Sequence, residues 1–331
     1  MMKHRGPGKA NREAISVMQL MDMFPDEASA ERWFIETRWP EGRTCPHCGS
    51  DHTTELKSRK PMPYFCNGCR SYFSVRTGTP LQNSRLPLRK WVFAVYLYVT
   101  NLKSVSSMKL HRDIGVTQKT AWFMMHRLRE AWDQSGLESL IGPVETDETY
   151  MGGKRKNMSQ SKRKAAKEAG LGRGTAGKTV VAGMKDRESG QVRARVVPGT
   201  DKPTLQGFVQ DNAEPGATLY TDEHGAYPGM GEFVHEAVNH SVGEYVRQQA
   251  HTNGIESFWA LLKRGYTGTF HKLSPKHLQR YVDEFAGRSG CREADTVVMM
   301  GEAVTRMVGK SLTYKELIVD NGLASGARTK A

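Results

Sequence analysis

Four cysteines constrain this chain most tightly. Cys45-Pro46-His47-Cys48 and Cys66-Asn67-Gly68-Cys69 are two C-x-x-C pairs separated by 17 residues. That spacing is the one expected where four thiolates close around one zinc ion. Each knuckle turns tightly enough to aim two sulfurs at one point, with Gly49 and Gly68 placed for the turns. Two knuckles complete a tetrahedron and leave no open position for water, so the expectation is one structural Zn²⁺. The metal would stabilise a module too small to hold itself together. His47 sits inside the first knuckle but is surplus to a shell of four sulfurs, and should be exposed. Cys291 is far away in sequence and reads as an ordinary thiol.

This reading assumes a reducing compartment, where a disulfide framework is not expected. The first twenty residues carry no apolar signal core. The longest apolar stretch, Trp91 to Val99, is too short for a bilayer, which needs ~20 residues. A cytoplasmic location and no membrane partner are therefore expected.

The chain of 331 residues has a net charge of +13, from 48 Lys and Arg against 35 Asp and Glu. A field of that sign attracts polyanions, although many soluble proteins carry as much charge without binding any. Two local clusters sharpen the point. Arg43, Lys57, Arg59, Lys60, Arg70 and Arg76 surround the cysteine pairs and suit contact with a DNA backbone. Gly153 to Lys178 holds Lys154, Arg155, Lys156, Lys162, Arg163, Lys164, Lys167, Arg173 and Lys178, opposed only by Glu168. Such a segment has too little apolar content to fold alone. It reads as a loop that orders on phosphates, because neutralising phosphates releases counterions.

The hydrophobic period gives the remaining organisation. Val17, Leu20, Met21 and Phe24 recur at helical spacing, and Pro25-Asp26-Glu27 opens a second helix. Pro87 can open another through Trp91, Ala94, Val95 and Tyr98. Ser104 to Arg129 reads as helix, turn, helix, with Gly115 at the turn and Thr117 as cap. Gln118, Lys119 and Thr120 would then lie where base edges are read, with Arg127 further along the same helix. An ordinary helical hairpin is the alternative; a neighbouring zinc module in a basic chain favours the DNA-binding form. From Pro143 the pattern alternates as strands do. Val144–Tyr150, Thr179–Met184, Val192–Val197, Ala217–Thr221 and Phe233–Asn239 read as five strands, with helices at Pro203–Gln210, from Asn253, and at His277–Ala286.

Three acidic residues look unlike surface charge. Asp147 lies in mid-strand, Asp222 ends an apolar strand, and Glu256 stands near a helix start. Carboxylates in such places are costly unless paired or bound to cations. Hard oxygen ligands suit Mg²⁺ or Mn²⁺, and two such ions can drive displacement at a phosphodiester. Lys263, seven residues after Glu256, falls on the same helix face and could hold a phosphate. Spacing alone leaves structural roles open, with Asp222 capping a turn and Asp147 on an exposed face.

The ribbon cysteines, the segment Asp147-Glu148-Thr149-Tyr150-Met151-Gly152-Gly153-Lys154, and the segment Thr252-Asn253-Gly254-Ile255-Glu256-Ser257-Phe258-Trp259 continuing to Lys263-Arg264-Gly265 resemble bacterial insertion-sequence transposases with an N-terminal zinc ribbon. His277-Leu278-Gln279-Arg280-Tyr281 adds to the likeness, which runs from about residue 16 to 288. The resemblance implies an RNase H-like fold and a DDE-type triad with Asp147 and Asp222 as its first two members. Family members carry Glu or Asn third, and this chain offers both Glu256 and Asn253 on one helix face. Glu256 is preferred because it follows Asp222 by 34 positions and precedes Lys263 by seven; Asn253 would be auxiliary and Glu284 a weaker candidate. The implied chemistry is hydrolysis of one strand at each element end, then attack of the freed 3′-OH on target DNA, with two Mg²⁺ or Mn²⁺ ions. Double-stranded DNA is the implied partner, and joining two ends implies a homodimer or a higher assembly. A non-catalytic DNA-binding regulator and a nuclease of the same fold are the competing readings.

The expected architecture is a multidomain α+β chain. It comprises an N-terminal helical segment (1–40), a zinc ribbon (41–80) and a helix-turn-helix region (85–135). An RNase H-like domain (140–290) follows, with a mixed five-stranded sheet, flanking helices and the basic insertion 153–178. A C-terminal helical tail (291–331) completes it.

Overall fold

In chain order the elements are α1 (Val17–Met23), α2 (Glu27–Arg38), β1 (Thr53–Glu55), β2 (Tyr64–Cys66), β3 (Tyr72–Phe73), α3 (Leu88–Thr100), α4 (Ser107–Ile114) and α5 (Gln118–Arg129). Then come β4 (Val144–Met151), α6 (Gln160–Glu168), β5 (Thr179–Asp186), β6 (Val192–Val197), α7 (Lys202–Gln210), β7 (Thr218–Asp222), β8 (Val234–Val238), α8 (Asn253–Gly265), α9 (Pro275–Gly290), α10 (Thr296–Thr305) and α11 (Tyr314–Ile318). This is a computed structural model, and it describes residues 13–153, 157–168, 170, 177–222, 226–238, 252–291 and 294–325. No helix among these residues is long and apolar enough to cross a membrane.

The chain divides into two units, Met1–Trp132 with Cys291–Val319 and Asp133–Gly290 with Asp320–Ala331. In the first, local chemistry fixes the helix starts. Ser16 and Asp26 each accept a bond from the third residue onward, Gln19 and Ser29, closing capping boxes on α1 and α2. The core gathers Trp91, Tyr98, Leu110, Met124, Met125, Leu128 and Trp132. Met299, Met300, Ala303 and Val304 of α10 belong to the same core. The C-terminal helices expected as a tail are thus structural parts of the first unit, contributing an apolar face that one-dimensional spacing does not assign to a partner. Gly115 ends α4 in the left-handed region at φ 60°, and Thr117 caps α5 through the Thr120 amide. Glycine adopts that conformation without a side-chain clash.

The second unit is built on a mixed sheet ordered β6-β5-β4-β7-β8. β4 pairs antiparallel with β5, and β5 antiparallel with β6, whereas β4–β7 and β7–β8 are parallel. Counted within the unit the order is third, second, first, fourth, fifth, the arrangement of an RNase H-like domain. α7 covers one face, with Leu205, Phe208 and Val209 against Val144, Ala182, Met184 and Leu219. α8 and α9 cover the other, with Ile255, Trp259, Val282 and Phe285 against Met151, Val181, Val192 and Ala194. The edge strand β6 does not present bare peptide groups. Gln279 of α9 and Gln134 place their side-chain amides on Ala194 and Val196, and both donate to the Asp283 carboxylate at 2.7 Å. Covering an edge in this way blocks pairing with another chain.

The basic insertion departs from the loop that its composition suggests. α6 occupies Gln160–Glu168, and its described side chains bury no face. Its sequence is almost wholly Gln, Lys, Arg, Ala and Glu, the strong helix formers, with Lys164 and Glu168 paired at 3.9 Å one turn apart. Lys154, Arg155 and Lys156, and the side chain of Lys162, lie outside the described residues.

Candidate active site

Period two along β4 puts Glu145, Asp147 and Thr149 on the face that α8 covers. Asp147 is level with Gly183 on β5. On the other side, Thr146 pairs with Thr221 of β7, so one step on, Asp147 and Asp222 stand at the same height on neighbouring parallel strands. Strands so paired are separated by ~4.8 Å. α8 packs across β4 and β5 on the Asp147 face. A side chain at Gly183 would bring a Cβ within 2.5 Å of the Trp259 ring. With glycine there, the indole lies across β5 and its Nε1 donates to Asp147 Oδ2 at 3.0 Å.

The electrostatics follow from this enclosure. Burial pushes the Asp147 carboxyl up to about 7, and the neighbouring Asp222 and Glu148 charges add to the rise. Glu148 points to the opposite face, where the buried Tyr227 hydroxyl donates to its Oε2 at 3.1 Å. Burial, with the Glu148 charge beside it, raises the Tyr227 phenol and keeps it protonated as a donor.

Asn253, Glu256 and Lys263 are exposed on one side of α8, and the buried side carries Ile255, Phe258, Trp259 and Leu262. Thr252 Oγ1 donates to Glu256 Oε1 at 3.2 Å. Among the described residues Asp147, Asp222 and Glu256 do not close into a cluster of ligand atoms. Glu284 lies elsewhere, fully buried on α9 and paired with Arg288 at 3.4 Å.

The cysteines do close. Their four sulfurs all lie within 4.8 Å of one another, with Cys45–Cys69 at 3.7 Å and Cys48–Cys66 at 3.6 Å. A tetrahedron with Zn–S bonds of ~2.3 Å has edges of ~3.8 Å, so the donor set fits one zinc. Cys45 and Cys66 are buried in the core of the first unit together with Tyr64 and Phe73, so the ribbon is anchored rather than pendant. His47 is exposed.

Residues 139–289 match the sequence profile of the ISXO2-like transposase domain, and residues 25–72 match that of the transposase zinc-ribbon domain. A protein of the transposable element ISH50 in Halobacterium salinarum, itself described as uncharacterized, is 30% identical over 275 residues, spanning 81% of this chain and 92% of that protein. The chain belongs to the insertion-sequence transposases with an N-terminal zinc ribbon.

In this transposase the helix-turn-helix side chains divide in two. Gln118 and Lys119 are exposed at the start of α5, with Gln118 Nε2 on Ser107 Oγ at 2.8 Å and the Lys119 ammonium 4.8 Å from the Tyr314 ring. Thr120 is half-buried and faces the Thr117 hydroxyl at 2.8 Å. Arg127, further along α5, is half-buried. Its guanidinium stacks on Phe123 at 4.1 Å and reaches the Gln82 carbonyl at 3.4 Å. On the insertion, Arg163 and Lys164 are exposed.

Sequence reasoning missed Glu145. It is 1% exposed, and its two oxygens accept Arg187 Nε at 2.9 Å and the Ile255 amide at 2.8 Å. The signal was present: alternation along Val144-Glu145-Thr146-Asp147 puts Glu145 on the face of Asp147, which a helix must cover.

Proposed function

We propose that this transposase nicks one DNA strand at each end of its element and joins the freed 3′-OH to target DNA, at a site formed by Asp147, Asp222 and the first turn of α8. The enclosed Asp147 carboxyl, pushed up to about 7 with Asp222 level beside it, carries this reading. A carboxyl raised by burial, with a second carboxylate beside it, is stabilised in its charged form by a bound cation, and carboxylate oxygens suit Mg²⁺ or Mn²⁺. When bound, two such ions activate an attacking oxygen and neutralise the leaving one. Asp147 and Asp222 would hold them. Glu256 is the third ligand, with Asn253 auxiliary; Lys263, two turns along, holds a phosphate oxygen.

The rest of the chain holds DNA. Gln118, Lys119 and Thr120 address base edges from the start of α5. Lys154, Arg155, Lys156, Lys162, Arg163 and Lys164 neutralise phosphates, as do the basic residues of the ribbon. Uniting two element ends takes at least two copies of the chain. The deciding comparison is Glu256→Gln against Asn253→Ala in Mg²⁺-dependent cleavage of terminal-repeat DNA. Glu256→Gln should lose on the order of 10²-fold or more in rate, and Asn253→Ala distinctly less. Loss confined to Asn253→Ala moves the third ligand to Asn253, and full strand transfer by both removes α8 from the site.

A further inference from the structure

We infer that Glu145, which is neither a proposed metal ligand nor a reacting group, is the positioning residue that docks the first turn of α8 onto β4 and so sets Asn253 and Glu256 against Asp147. The inference rests on the reading of Asp147, Asp222 and α8 as the active site.

Helix α8 lacks the local cap its start calls for. Its N-cap, Thr252, makes no side-chain capping bond. The first amides of a helix are left without partners by the helix itself. Here the Ile255 amide donates to Glu145 Oε2 instead, from a strand 110 positions earlier. The carboxylate also meets the positive end of the helix dipole. The approach is close enough to dictate the neighbouring residue, since a Cβ on Gly254 would fall 2.6 Å from Glu145 Oε2.

The other side of the carboxylate is equally fixed. Arg187 Nε donates to Oε1 at 2.9 Å, and the guanidinium lies 4.0 Å over the Tyr220 ring. Tyr220 is the residue level with Glu145 on β7, two before Asp222. The Glu145–Arg187 pair therefore joins β4, the β5–β6 turn and the helix bearing Asn253 and Glu256, with Arg187 reaching Tyr220 on the strand of Asp222. Glu145 and Trp259 form two latches on that helix, one at its first turn and one at Asp147. Glu145→Gln tests the first alone. An amide has one acceptor oxygen where the carboxylate has two, and the charged Arg187 guanidinium competes better for it, so the Ile255 amide loses its bond to this side chain.

The experiment uses the full chain labelled with 5-fluorotryptophan, titrated with Mg²⁺ alone and read by fluorine NMR. The six tryptophans give six resonances, and Trp259→Phe assigns the one beside Asp147. Hydrogen exchange at Ile255 and zinc content are measured on the same samples. Glu145→Gln should speed exchange at Ile255 at least about tenfold and raise half-saturating Mg²⁺ at least about fivefold, the scale of one lost buried bond. Zinc content should be unchanged. Gly254→Ala, which keeps both charges and displaces the helix, should shift both readings the same way, and it decides the matter if Glu145→Gln does not fold. An unchanged Mg²⁺ midpoint, or a still-protected Ile255, in a folded Glu145→Gln protein overturns the inference. If the parent responds to Mg²⁺ and Asp147→Asn abolishes the response while Glu145→Gln leaves it intact, only the Glu145 role falls. If the Trp259 resonance of the parent ignores Mg²⁺, the metal-site reading falls and this inference with it.

Discussion

Replacing Asp147 by Asn should abolish cleavage and yet make the metal-free protein more stable. In the folded protein burial raises the Asp147 carboxyl from 3.8 to about 7. Between those values the folded state holds a proton that the unfolded state has released, so stability falls as pH rises from about 4 to about 7 and then levels off. The interval corresponds to about 4 kcal/mol against the folded state at neutral pH and above. Asn cannot ionise, and it keeps a carbonyl oxygen for the Trp259 indole. Allowing for imperfect replacement, a gain of about 2–4 kcal/mol is expected at pH 8, or roughly 4–16 °C in the melting of a unit this size. The assay is calorimetric melting of the second unit from pH 5 to 9, in buffer stripped of divalent ions over resin. A soluble chelator is avoided so that the ribbon keeps its zinc. Asp147→Asn should melt above the parent at pH 8, the gap should narrow as pH falls from 7 to 5, and Mg²⁺ should raise the parent alone. Equal melting of the two proteins at every pH, or a less stable variant at pH 8, refutes the reasoning.

Two further outcomes follow from the same geometry. Cys45→Ser breaks a sulfur shell whose zinc contributes on the order of 10 kcal/mol to such modules, and Cys45 lies in the first unit's core. Purified variant should contain no zinc by metal analysis, melt its first unit at lower temperature and bind terminal DNA more weakly. Gly183→Ala sets a methyl carbon within 2.5 Å of the Trp259 ring. It should cost about 1–3 kcal/mol by overpacking and weaken the indole bond to Asp147, readable as a lower melting temperature with a higher Mg²⁺ requirement for cleavage.

What the sequence made legible was local. Two C-x-x-C pairs carry their own geometry, and the sulfurs close as the spacing requires. Alternation from Val144 placed Asp147 in a strand, and Gly115 followed by Thr117 marked the turn and cap of α5. The features it concealed depend on partners distant in the chain. The reach of Arg127 to the Gln82 carbonyl, 45 positions earlier, is one such contact. α10 read as a tail because its partners, such as α3, lie some 200 positions earlier. Glu145 passed as one more polar residue in a strand, since its value comes from Ile255 and Arg187. The helix α6 was hidden by charge, because its described side chains bury no apolar face and it draws on propensity and an i,i+4 ion pair.

The proposed chemistry resides in Asp147, Asp222 and α8. Its most direct test is Mg²⁺-dependent nicking and joining of a duplex carrying the element's terminal repeat, with parent and Asp222→Ala compared and DNA binding measured in the same samples. Asp222→Ala should bind the DNA and retain its zinc while producing neither nicked nor joined product. Nicking and joining by Asp222→Ala at the parent rate would contradict it.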